Sequence, residues 1–179
     1  MSTDNFDLNN TIEVLERTPA TLNALLSGLS DHWIFATEGA ETWSPFYVVG
    51  HLVHLEQSDW ITRARHILSG KSGPFESINR EANFDSIEGK PLAELLIEFG
   101  VLRARNLAAL VAMNLSSEDL DRTSLHPSLG QVTLKQLLAT WSVHDLDHIT
   151  QIARTMAKSY TDATGPWNVY LSVLRDRVG

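Results

Sequence analysis

Residues 133–158, TLKQLLATWSVHDLDHITQIARTMAK, carry the pattern that decides the fold. Thr133 is a suitable N-cap, and the apolar positions after it recur every three or four residues until about Lys158, as on one face of an α-helix. That face consists of Leu137, Trp141, His144, His148 and Ile152. The pattern predicts a long helix with two histidines on its inner side, spaced so that both could hold one ion.

Helical spacing also dominates the rest of the chain. It predicts three further long helices, over residues 9–29, 45–68 and 91–115. The second of these has Ser44 as its cap and Pro45 in its first turn. Thr18 and Pro19 interrupt the first one, which predicts either a kink or a fresh start with Thr18 as the cap.

The segments between the long helices are short or polar. Residues 116–119 predict a capped turn, residues 124–133 predict a loop or small hairpin, and Pro166 starts a short fifth helix. Residues 70–90 have no convincing period, and a loop of that length is typical of a functional cover or a mobile segment. The chain is therefore predicted to be all-α, an antiparallel four-helix bundle with a short additional C-terminal helix, in one domain over residues 1–179.

Composition excludes several classes of function. The formal net charge is -8 and the basic residues are scattered, so the surface is expected to repel nucleic acid and anionic membranes. The chain has no cysteine, which excludes disulfides, thiolate metal sites and a cysteine nucleophile. The polar N-terminus and the lack of an apolar run of about 20 residues predict a cytoplasmic protein with no signal peptide or membrane span.

A metal held by His144 and His148 would need a further ligand from another helix. The second helix offers His51 and His54. Three residues advance about 300° around a helix, so only one of the two side chains can lie squarely on a given line along it. Spacing does not choose between the two. Glu56 points well away from His51 and is a poor co-ligand. The alternative is that His144 and His148 are core histidines bonded to backbone or carboxylate groups.

Several neighbours of the histidine pair have two interpretations. Asp145 stands where metalloproteases of the His-Glu-x-x-His type have their general base, but its side chain is one methylene shorter, which disfavours a protease. Asp145 and Asp147 are either acceptors for an imidazole N–H or solvated surface charges. Trp141 is a core aromatic that is also placed to wall a pocket above a metal. Gln151 either orients a ligand or water, or lies on a solvated face.

The ordered set of motifs resembles the DinB-like superfamily of bacterial four-helix proteins. The resemblance is carried by TWSPFYVVGHLVHLEQSD (42–59) and HPSLGQVTLKQLLATWSVHDLDHITQIAR (126–154), with LERTPATLNALLSGL near the start and GPWNVYL near the end. It implies a divalent metal bound by three histidines, one from the second helix and two from the later helix. By position these are His51, His144 and His148, and His54 falls outside the motif.

The resemblance implies two alternative functions. The first is a metal-dependent enzyme, a thiol-dependent transferase or a hydrolase, that acts on a small molecule and in some relatives uses a small thiol such as bacillithiol or mycothiol. The second is a non-catalytic, stress-associated metal-binding bundle. Nickel or zinc is the expected metal, because imidazole suits both. Apolar stretches such as residues 107–113 and 170–174 predict a homodimer through helix faces.

Overall fold

The structure, a computed structural model, describes residues 6–71, 73–75 and 87–175. The four long helices are α1 (Leu8–Leu26), α3 (Pro45–Ser58), α5 (Leu92–Ala112) and α7 (Leu134–Lys158). The short helices are α2 (Asp31–Ile34), α4 (Trp60–Ser69) and α6 (Ser117–Leu120). An antiparallel hairpin of β1 (Thr123–His126) and β2 (Gly130–Thr133) precedes α7, and the 3₁₀ helices η1 (Gly165–Tyr170) and η2 (Ser172–Leu174) follow it. The all-α prediction is confirmed, and the hairpin is the small one that residues 124–133 predicted.

The helix starts follow from side-chain capping. The hydroxyl of Thr133 accepts a hydrogen bond from the backbone N–H of Gln136, whose side chain in turn accepts from the N–H of Thr133. At the start of α3 the hydroxyl of Ser44 accepts a hydrogen bond from the backbone N–H of Tyr47, and Pro45 occupies the first turn. The predicted starts of both helices that carry the histidines are therefore confirmed.

The single helix predicted over residues 45–68 is wrong, because the chain breaks at Asp59 into α3 and α4. Asp59 is buried, and its carboxylate lies 2.5 Å from Nε of Arg63. After the break, Trp60 stacks on Trp141 of α7 with 5.7 Å between ring centroids. The predicted short fifth helix at Pro166 is present as the 3₁₀ helix η1, with the proline in its first turn.

Helix α1 runs through Pro19 without a second start, so the predicted fresh start at Thr18 is wrong. Proline has no N–H, and the carbonyl of Leu15, four residues earlier, therefore receives no helical hydrogen bond at this point. Arg103 of α5 donates to that carbonyl from Nη1 at 2.9 Å. The long helix tolerates its proline because another helix satisfies the oxygen that the proline leaves unpaired.

The core is divided into two apolar clusters with a polar layer between them. On α1 the layer falls between Leu15 and Leu22, and on α5 it falls between Leu102 and Leu107. Helix α5 packs against α1 and α3, while α7 packs against α1 and α4. All four long helices thus contribute to one polar layer inside the bundle.

The cover predicted over residues 70–90 lies largely outside the described residues and stays a prediction. Within the described parts of the chain, no helix combines the length and apolar character that crossing a membrane requires.

Candidate metal centre

Three histidine side chains from two helices meet in the bundle, and one of them, His144, directly precedes Asp145 of the polar layer. Nε2 of His144 lies 3.4 Å from Nε2 of His51 on α3 and 3.1 Å from Nε2 of His148 on α7. One nitrogen of each ring lies within 4.8 Å of one nitrogen of each of the others. We refer to His51, His144 and His148 as the histidine triad. Of the two histidines of α3, His51 lies beside the pair on α7 and His54 does not, and the assignment of the three as metal ligands stays a prediction.

The donor set fits a divalent transition metal. Nitrogen ligands about 2.1 Å from one ion are separated by roughly 3.0 to 3.4 Å for octahedral to tetrahedral angles. The two Nε2–Nε2 distances at His144 lie within that range. Nδ1 of His144 is buried with no hydrogen-bond partner in the described part of the chain, so the polar contacts of this ring all lie at the centre of the triad. Three converging imidazoles also leave coordination positions for a further ligand, as in catalytic sites.

Gln151 fixes the protonation of one ring of the triad. Its Oε1 lies 2.7 Å from Nδ1 of His148. Because a carbonyl oxygen only accepts hydrogen bonds, Nδ1 carries the proton and Nε2 presents its lone pair to the centre. Gln151 is half-buried against His148 and so does not lie on a fully solvated face, and its predicted role in orienting a ligand or water stays a prediction.

Burial keeps the ligand rings neutral. It lowers the pKa of His144 to about 4, and a charge on His148 acts in the same direction. Burial also lowers the pKa of His148. A metal ligand has to be unprotonated, so both rings are ready to bind an ion at neutral pH without first losing a proton.

Aromatic rings enclose the triad on two sides. Trp43 lies 5.0 Å from His51 and is stacked over His148 at 6.5 Å between centroids. Trp60 meets the ring of His144 edge-on at 5.3 Å. Trp141 is fully buried behind Trp60, which confirms the prediction of a core aromatic and leaves the wall of the pocket to other residues. The walls therefore come from the residue before the cap of α3 and from the start of α4.

Asp145 is neither a solvated charge nor an imidazole acceptor, and both interpretations are wrong. It is fully buried, and its two oxygens accept hydrogen bonds from Nη1 and Nη2 of Arg103 at 2.6 and 3.0 Å. This bidentate pairing leaves no place for Asp145 as the general base of a protease. Asp147, in contrast, is exposed.

Arg103 is the centre of a buried network that the sequence analysis missed. Its Nε and Nη2 donate to Oε1 of Glu56 at 3.0 and 2.8 Å, and the indole N–H of Trp141 donates to the same oxygen at 3.0 Å. Asn106 donates to Oε2 of Glu56 at 2.9 Å. We call this set, with Asp145, the Arg103 network. The sequence did contain a signal for it: Arg103 and Asn106 follow Phe99 by four and seven residues, which places both polar side chains on the apolar, inward face of the helix.

Fold and site together define a four-helix bundle with a three-histidine candidate metal centre. The chain belongs to the DinB superfamily, which it matches over residues 14–152. Among solved structures it is similar to YfiT from Bacillus subtilis, described as a probable metal-dependent hydrolase with an unusual four-helix bundle topology. That similarity has a TM-score of 0.72 at 20% identity and covers 89% of this chain and 93% of YfiT, which establishes the shared fold. No curated protein matches the chain.

Proposed function

We propose that the protein is a metal-dependent enzyme that acts on a small molecule through the histidine triad. The observation that carries the proposal is that Nε2 of His144 lies at distances suited to one ion from Nε2 of His51 and from Nε2 of His148, with all three rings in one cluster. Nickel or zinc is the proposed metal, because imidazole suits both. The proposed reaction is either a hydrolysis or the attachment of a small thiol to a substrate, and the proposed location is the cytoplasm. A divalent ion would supply the Lewis acidity that activates water or a thiol as the nucleophile.

The residues of the chain supply the rest of the site. Gln151 holds His148 in the ligand tautomer, and burial keeps His144 neutral. Trp43 and Trp60 form apolar walls beside the triad, which exclude water from two sides and favour a substrate with an apolar part. The net charge of -8 disfavours a nucleic-acid substrate.

The test combines metal analysis with a turnover panel. Protein purified without a polyhistidine tag is expected to contain about one divalent ion per chain, and His148→Ala is expected to contain little. Electrophiles are then offered with bacillithiol, mycothiol, glutathione or water alone, to wild type and to His51→Ala. Equal metal content in wild type and His148→Ala would remove the metal assignment. Absence of turnover in every combination would favour the non-catalytic, stress-associated bundle.

The proposal includes a homodimer formed through α5. Its solvent side carries apolar residues at alternating intervals of four and three, the spacing of a helix-pairing seam: Ile97, Val101, Ala104, Ala108 and Val111. All five are exposed, Val101 by 65%. Beside them a groove of about 700 Å³ runs between α1 and α5 and is lined mainly by small apolar side chains. A second copy related by a two-fold axis would cover seam and groove together.

A further inference from the structure

The Arg103 network connects all four long helices at the level of the histidine triad. From α5, Arg103 reaches the carbonyl of Leu15 on α1, the carboxylate of Glu56 on α3 and the carboxylate of Asp145 on α7. Arg103 is 1% exposed, and the side chains of both carboxylates are fully buried. A buried charged group of this kind is costly unless every donor and acceptor has a partner, and here each nitrogen of the guanidinium has one.

We propose that Arg103 is a positioning residue for the metal centre. Its guanidinium sets the spacing between α3, which carries His51, and α7, which carries His144 and His148. This role rests on the proposed metal site, because the guanidinium would hold together the histidine on α3 and the two histidines on α7.

Each carboxylate of the network lies close along its helix to a histidine of the triad. Asp145 directly follows His144, and Glu56 lies five residues after His51, about 7.5 Å along the helix axis. The planar guanidinium bonds both carboxylates at once, so a shift of α7 relative to α3 would distort its hydrogen bonds to one or both. Metal ligands have to keep their distances within about 0.2 Å. The network therefore constrains the 3.4 Å separation between Nε2 of His51 and Nε2 of His144.

The network also has an unbalanced charge. Two carboxylates face one guanidinium, which gives the network a formal charge of minus one next to the histidine triad. A divalent cation at the triad is attracted to that charge in a medium of low dielectric constant. Arg103→Lys keeps the charge and removes the planar fork, so this substitution changes the positioning and leaves the net charge of the network as it is.

The test measures cobalt binding by metal-free, tag-free full-length protein, using titration calorimetry for affinity and visible absorption for ligand geometry. Arg103→Lys is expected to lower the affinity for Co²⁺ by about tenfold or more and to change the spectrum of the bound ion. The matched control is Leu110→Ala, on the same helix and 1% exposed within an apolar cluster. This control should melt at a lower temperature yet keep its affinity within about twofold and its spectrum unchanged.

A second variant covers the case in which Arg103→Lys does not fold. Trp141→Phe keeps an aromatic ring against Trp60 and removes the N–H that donates to Glu56 together with the volume of one fused ring, and it is expected to lower Co²⁺ affinity severalfold with an altered spectrum. Leu110→Ala serves as the control for the lost volume, because it too leaves a cavity in the core. Unchanged affinity and spectrum in these variants would overturn the inference and leave the metal site intact. An equal loss in Leu110→Ala would also overturn it, because general destabilisation would then suffice. Wild type that binds no Co²⁺ would overturn the proposed function and the inference with it.

Discussion

Acidification of the metal-free protein should reveal the buried state of His144. Burial lowers the pKa of this side chain from the ordinary histidine value of 6.5, which we take for the unfolded chain, to about 4 in the folded protein. Linkage between these two values predicts that the free energy of unfolding falls by about 2 kcal/mol between about pH 8 and pH 5 from this side chain alone. The lowered pKa of His148 acts in the same direction.

The sign follows from which state binds the proton. Between pH 6.5 and about pH 4, His144 takes up a proton in the unfolded chain but not in the folded chain, so acid favours unfolding. The stability is present in full above the unfolded pKa, falls progressively below it, and stops falling once the pH has passed the folded pKa. A bound metal also competes with protons, so the loaded protein should lose stability more steeply with acid.

The assay is urea unfolding followed by tryptophan fluorescence, in chelator, at several values between about pH 5 and pH 8. His144→Gln should flatten the profile by about 2 kcal/mol across this range, because the group that titrates has been removed. His32→Gln, at an exposed position outside the site, serves as the control and should keep the wild-type profile. A wild-type slope in His144→Gln would refute the assignment of the acid sensitivity to this buried ring.

Three further predictions concern the metal and the assembly. Gln151→Leu should lower metal affinity by about 10- to 100-fold, because Nδ1 of His148 loses its acceptor, and unchanged affinity in titration calorimetry would contradict this. Verified removal of the metal should lower the melting temperature, because the ion binds only the folded state; an identical value would refute the linkage. Light scattering should give twice the 19.9 kDa chain mass for wild type and for Val143→Glu, an exposed control on α7, but the single mass for Val101→Glu. A single-chain mass for wild type at micromolar concentration would exclude the dimer.

The long helices could be predicted from sequence because their determinants are local. Thr133 and Ser44 supply caps, and the stripe of α7 places His144 and His148 inward whatever the rest of the chain does. The break at Asp59 could not be predicted in the same way, since neither proline nor glycine marks it and its side chain is held by burial and Arg63.

The third ligand and the polar layer depend on contacts between helices. Periodicity placed His51 and His54 on one helix but could not say which of them faces α7. For Asp145, the stripe of Trp141, His148 and Ile152 already contained the answer, because the residue four positions after Trp141 on an inward face is buried. What the sequence lacked was the partner, which lies on another helix.

The proline inside α1 has a consequence for how this chain can change. Pro19 leaves the carbonyl of Leu15 without a helical donor, and Arg103 compensates for this from another helix. Pro19→Ala would restore a helical donor to that oxygen, which can accept two hydrogen bonds, whereas loss of Arg103 would leave the same oxygen buried and unpaired beside a proline. The effects of substitutions at these two positions should therefore be non-additive, although the two residues are far apart in sequence. Loss of Arg103 should cost less stability in a chain that carries Pro19→Ala than in one that keeps the proline, so a library that varies both positions should contain more folded chains than one that varies position 103 alone.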